Sequence, residues 1–205
     1  MNRVADTQSV PARRRLPRGE REERMLDAGE RMFGERGFRA ASMDDIARAS
    51  GITKALLYQY FGSKEGLYEA CVERAGARLF QRLEREAESA RPGRARLNAV
   101  VTAYFTYLDE QRGSWWLLYG DASMGAVDEM RRQNADVIAT LIANDIRTAG
   151  GAADGQDIEM LGHLIVGSGE QVARWWLEHP ELPRERAIER FVTATQAAIA
   201  GVLGA

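Results

Sequence analysis

Residues 42–61 read Ser-Met-Asp-Asp-Ile-Ala-Arg-Ala-Ser-Gly-Ile-Thr-Lys-Ala-Leu-Leu-Tyr-Gln-Tyr-Phe, and their punctuation predicts two short helices joined by a glycine turn. Ser42 can cap the first helix, with Asp45 three residues on as in a capping box. Ile46 and Ala47 give that helix a buried side. Gly51 suits a left-handed turn position because it has no Cβ to clash. Ile52 plugs the angle between the helices, and Thr53 is an N-cap for the second. Gly62 ends that helix and Ser63 caps a third. A short helix, a glycine turn and a second short helix make a helix-turn-helix signature.

The second helix has two faces. Leu57 and Phe61 are four apart and turn inward, while Lys54, Ala55, Tyr58 and Gln59 cluster on the other side. A helix entering a major groove needs donors, small residues that allow close approach and long polar tips. The outer face carries all three. An ordinary solvated hairpin face is the competing reading, but caps, turn and face agree with one another.

The run Gly51-Ile-Thr-Lys-Ala-Leu-Leu-Tyr-Gln-Tyr-Phe61, followed by Ser63-Lys64-Glu65-Gly66-Leu67, resembles the DNA-binding motif of TetR-family transcriptional repressors. The resemblance spans residues 20–70. It implies an all-α fold, with an N-terminal three-helix DNA-binding domain and a helical C-terminal domain for ligand binding and dimerisation. It further implies that Lys54 and Ala55 approach base edges, and that Ser42, Tyr58 and Lys64 hold phosphates. Met43, Thr53, Gln59 and Tyr60 complete the expected DNA-binding set. Leu56 departs from the family, which often carries a small or polar residue there. That leaves open whether position 56 packs inward or meets a thymine methyl.

A chain of 205 residues can bury a sizeable core, and 45% hydrophobic with 28% charged residues is ordinary for a globular protein. The net charge of −2 excludes a polycation, but the charge is unevenly spread. Residues 1–66 hold 13 basic and 10 acidic residues, net +3, and residues 67–205 are net −5. A positive end on an acidic body suits a polyanion partner at that end alone. Of the basic residues only Lys54 and Lys64 are lysines, and both lie in the motif. The single cysteine, Cys71, excludes an intrachain disulfide and reads as a small buried hydrophobe. No apolar leader and no run of 18 apolar residues is present, so no membrane span is expected and a cytoplasmic protein is the default.

Three segments are expected: a disordered basic arm over 1–19, a helix-turn-helix domain over 20–66, and an effector-binding and dimerisation domain over 67–205. For the arm, a flexible solvated tail and a DNA-reaching arm stand as equal readings. Apolar periodicity gives about nine helices in all. It places them over 20–36, 64–89, 94–111, 125–149, 155–178 and 184–203, besides the two motif helices and a short aromatic segment, Trp115–Tyr119.

Signatures of an enzyme are weak. His163 and His179 have no Cys or His partner at ligand spacing, and Gly167-Ser168-Gly169 sits in a helical pattern rather than after a strand. No metal and no cofactor is expected. The second half does carry aromatic groups with a few polar ones, an inventory that suits an apolar pocket. The same rings could equally fill the core or a dimer seam. Family resemblance favours a pocket for a small apolar or aromatic effector, with Tyr104, Trp115, Trp116, Tyr119, His163, Glu170, Arg174 and Trp175 as its candidate residues. The expected protein is a repressor released by that effector from a palindromic double-stranded DNA operator. Homodimerisation is expected through helices 155–178 and 184–203, with Phe191 in the seam. A regulator controlled by a protein partner or by no ligand is one alternative. A helical enzyme or carrier using the motif only as scaffold is the other.

Overall fold

A computed structural model describes residues 17–119, 125–148 and 153–204, which form nine α-helices and no strand among the described residues. They are α1 (Arg18–Ala40), α2 (Met43–Ser50), α3 (Lys54–Phe61), α4 (Lys64–Ser89), α5 (Arg94–Glu110), α6 (Arg112–Tyr119), α7 (Gly125–Thr148), α8 (Gly155–Glu178) and α9 (Arg184–Leu203). Most boundaries fall where caps and breakers put them. Three expectations need correction.

The first helix, expected over 20–36, does not end before Gly37. Gly37 kinks the helix at φ 74°, and the Ala41 N–H then returns to the Gly37 carbonyl at 3.2 Å. The basic arm stops short of residue 19, since Pro17 caps α1 and Arg18 and Gly19 lie in its first turn. Residues 1–16 of the expected arm lie outside the described residues. The aromatic segment is the body of α6, which starts at Arg112 and takes Gly113 into its first turn. The reason is a close helix approach. A Cβ on Gly34 of α1 would stand 2.5 Å from the Gly113 carbonyl oxygen, so only glycine lets α1 and α6 touch backbone to backbone.

One continuous core runs from Met25 and Phe33 of α1 through Ile46, Leu57 and Leu67 to Phe105, Leu118 and Trp176. Burying a large apolar side chain contributes ~1.5–3 kcal/mol, so this core outweighs any single polar contact. Helix α4 is its spine. It packs on α1, α3, α5, α6 and α7. Arg74 fixes it to α1 through three carboxylates, Glu23 at 2.6 Å, Asp27 at 2.8 Å and Glu30 at 2.7 Å. Burial works against the charge on Arg74, but hydrogen bonds and charge from Glu30 and Asp27 outweigh it and raise its pKa further. The Tyr68 hydroxyl donates to the Leu117 carbonyl at 2.7 Å, tying α4 to α6. Helices α8 and α9 close the far side against α5, and α7 packs on α8 and α4.

Candidate DNA-binding face and cavity

The α2–α3 unit is built by local chemistry. The Asp44 N–H donates to Ser42 Oγ at 3.2 Å, which caps α2. No reciprocal capping box forms. Asp45 is one methylene shorter than the Glu such a box uses, and it accepts from Arg48 at 2.8 Å and Arg36 of α1 at 3.2 Å. Gly51 holds the left-handed turn at φ 72°, and the Ile52 N–H reaches the Ala47 carbonyl at 3.0 Å. Thr53 Oγ1 accepts from the Leu56 N–H at 3.3 Å and starts α3. Ser63 Oγ accepts from the Gly66 N–H at 3.0 Å and starts α4.

Leu57 is fully buried beneath α3, and Leu56 packs partly against the core, which resolves its direction as inward. Thr53, Lys54, Ala55, Tyr58 and Gln59 are all exposed and share the outer face. Lys54 Nζ pairs with Asp44 Oδ2 at 2.8 Å across the turn. The hydrogen bond that Lys54 donates to Asp44, and the charge of that carboxylate, raise the Lys54 pKa. Ser42 is half-buried at the mouth of α2. Lys64 bonds the Arg39 carbonyl at 3.2 Å and lies 4.7 Å above the Phe38 ring.

Two members of the expected set lie elsewhere. Met43 is 6% exposed and belongs to the core, because the first turn of α2 points it at α1. Tyr60 is half-buried on the side of α3 away from Lys54, with the Arg18 guanidinium 5.5 Å from its ring centroid. Its ring therefore anchors the start of α1.

Two adjoining apolar cavities, of about 220 and 410 Å³, lie among the C-terminal helices, the smaller against α4. The smaller is framed by α4, α5, α7 and α8, with Leu79, Leu83, Tyr104, Ile138, Ile165 and Phe191 among its walls. The larger continues toward the α4–α5 turn and the end of α9 and shares Val100, Val101, Ile138, Leu141 and Ile165 with the first. Of the expected effector residues, Tyr104 and Glu170 line the cavity. His163, Arg174 and Trp175 do not. The phase of α8 turns them outward, and Trp175 is 49% exposed with its ring against His179. The side chains of Trp115, Trp116 and Tyr119 lie outside the described residues. Trp176, not its neighbour, faces inward, 5.4 Å from the Phe105 ring. Phe191 also faces inward, beside Phe105, so it is a core residue of this chain and not a seam residue.

The outer face of α8 instead presents Met160, Leu164 and Trp175, each more than 40% exposed and aligned at helical spacing. Beside them α9 presents the exposed small residues Ala194, Ala197 and Gly201. Sequence reading missed Arg96 and Asp145, which stand together at the end of the larger cavity. Nothing in their spacing, 49 residues apart, marks them as partners.

Residues 25–71 match the family described as bacterial regulatory proteins, tetR family, and residues 93–198 match a tetracyclin repressor-like C-terminal domain. The HTH-type transcriptional activator FasR of Mycolicibacterium smegmatis is 28% identical over 182 residues, 85% of this chain and 81% of that protein. The HTH-type transcriptional repressor KstR2 of the same organism is 24% identical, with 91% of each chain covered. A TetR-like transcriptional regulator from Rhodococcus sp. RHA1 superposes with a TM-score of 0.73 at 32% identity, covering 91% of this chain and 100% of that one.

Proposed function

Since the chain belongs to the TetR family of bacterial regulatory proteins, which bind DNA to regulate transcription, we propose that it is a dimeric repressor released from its operator by an apolar small molecule. In this reading the outer face of α3 enters the major groove. Lys54, Ala55 and Gln59 meet base edges, while Ser42, Tyr58 and Lys64 hold the backbone on either side. Lys54 exchanges Asp44 for DNA at little cost, because a pair this exposed contributes little to the free protein. Lys64 and Ser63 stand at the start of α4, where the helix dipole favours a phosphate.

A single α3 reads too few base pairs, so two copies must reach successive major grooves. The exposed Met160, Leu164 and Trp175 of α8, beside the small residues of α9, support a four-helix seam between protomers. Such a row of exposed apolar groups is otherwise costly in water.

The observation that carries ligand control is the continuity of α4. It runs unbroken from Lys64, behind α3, to Ser89, and Leu79, Leu83 and Ala87 on its far half line the cavity. At about 1.5 Å per residue that is roughly 39 Å of one rigid rod. A ligand that prefers one tilt of α4 changes the spacing of the two α3 helices. DNA prefers another tilt, so the two binding events oppose each other reciprocally.

The test is a labelled DNA fragment flanking the chain's own gene, followed by fluorescence anisotropy with a panel of apolar compounds. Release by a compound that also shifts tryptophan emission supports the reading, since Trp176 sits one ring from the cavity wall. Binding that no compound weakens would favour control by a protein partner or by none. The relatives are named as transcriptional regulators rather than enzymes, which weighs against the enzyme alternative.

A further inference from the structure

We propose that the end of the cavity remote from α3 is an anion subsite built on Arg96, and that the Arg96–Asp145 pair is the latch by which a charged ligand head frees the end of α4. This rests on the reading of the cavity as the effector site.

Arg96 and Asp145 both line the larger cavity, and their side chains are each only 18% exposed. Arg96 pairs with Asp145 through Nη1. Its Nε donates to the Ala87 carbonyl at 2.9 Å, in the last turns of α4. The other oxygen of Asp145 accepts the Gly93 N–H at 2.6 Å, in the turn that leaves α4. One ion pair thus ties the end of α4, the turn after it and α7 together, at the wall of an apolar slot.

Charge is distributed unevenly along that slot. At this end stand Arg94, paired with Gln196, Arg96, and the N-terminus of α5, whose dipole favours an anion. Asp145 is the one acid among the described residues that line the larger cavity. The smaller cavity is lined by no basic residue among those described but by Glu84 and Glu88, on the last turns of α4 either side of Ala87, and by Glu170 of α8, with Tyr104 and Asn134 as its neutral polar groups. Ten residues of α5 separate Arg94 from Tyr104, roughly 15 Å at the rise of an α-helix. The slot therefore suits a long aliphatic chain carrying an anionic head, carboxylate or phosphate. The head meets Arg96 and the chain runs along the apolar wall the two cavities share, Val100, Val101, Ile138, Leu141 and Ile165.

A guanidinium offers five donors in a planar fork and binds either anion bidentately. A ligand head that takes this fork competes with Asp145 for it. Turning Arg96 toward the head also withdraws Nε from the Ala87 carbonyl. Recognition of the charge and release of the last turns of α4 are then one event.

The test uses three probes of one chain length on the full-length protein: dodecanoate, dodecyl phosphate and dodecan-1-ol. Calorimetry gives their affinities, and anisotropy of the bound operator fragment gives release. At least one anion should bind about tenfold more tightly than the alcohol, and its identity names the head. Arg96→Gln should bring that ratio to about one while keeping alcohol affinity, and Asp145→Asn should tighten anion binding by removing the competitor. Equal affinities for all three probes in the unaltered protein, or an anion preference that survives Arg96→Gln, would overturn the subsite. Should Arg96→Gln fail to fold, the unaltered protein's ratio and Asp145→Asn still decide. An alcohol that binds and releases DNA without any anion preference leaves the cavity reading standing and removes only the subsite. If none of the three binds, both fall.

Discussion

Lys54 is one of the two lysines of this chain, and it stands exposed at the first turn of α3, paired with Asp44. At such a position a side chain reads a base edge at a typical worth of ~1–3 kcal/mol. Lys54→Ala should therefore weaken operator binding about tenfold to a hundredfold and relax preference at one base position. Its melting temperature should stay unchanged, because the ion pair lost is exposed. Cys71 makes the opposite kind of claim. Burial, with added charge from Glu30, pushes its thiol up to about 12, and Sγ lies 3.7 Å from the Leu26 carbonyl. The native protein at pH 8 should not react with an aromatic disulfide reagent, while the chain in guanidinium should react fully. The folded thiol keeps its proton where the unfolded one gives it up. Stability should therefore decline as pH rises from the ordinary 9.0 toward about 12.

At the scale of elements, α4 belongs to the DNA-binding end and to the cavity at once, and the Arg74 clamp decides how firmly it follows α1. Arg74→Met leaves Glu30, 13% exposed, with Arg78 alone at 3.1 Å. Thermal unfolding should show a loss of about 1–3 kcal/mol, the cost of a buried acceptor short of a partner. An unchanged melting curve would mean that apolar packing alone holds α1 to α4. The elements were largely legible in the sequence, because Ser42, Gly51, Thr53, Gly62 and Ser63 are local signals and act within a few residues. The run of α1 beyond residue 36 and the start of α6 at Arg112, ahead of the aromatic segment, were not legible: Gly37 serves a kink and Gly113 a close contact with Gly34, and contact across helices leaves no local mark. The cavity was harder still. Periodicity separates buried from exposed positions, but Ile138 and Ile165 beside a void look like any core residues. The effector inventory also misplaced Trp175, which is 49% exposed, while its neighbour Trp176, in the apolar stripe of 155–178, turns inward as its phase implies. The Arg96–Asp145 pair, joined only by the fold, could not be read at all.

At the scale of the whole molecule, the sequence is net +3 over residues 1–66 and net −5 over 67–205, and the proposed seam lies on the outside of α8 and α9. Leu164→Glu places a charge in that seam while leaving the core untouched, since Leu164 is 43% exposed. Light scattering should then show a folded monomer with operator binding lost. Phe191→Arg should behave differently, unfolding the chain, because it buries a charge beside Phe105 and Trp176. A dimeric Leu164→Glu protein would move the seam elsewhere. The account as a whole stands on α3 reading DNA, and anisotropy of a labelled fragment from beside the chain's own gene, against a scrambled fragment of equal length, measures that directly. The account predicts saturable binding to one such fragment with two protomers per site, a specific preference of about 10³-fold or more, and affinity that falls steeply with salt. Equal affinity for both fragments at every salt concentration would contradict it.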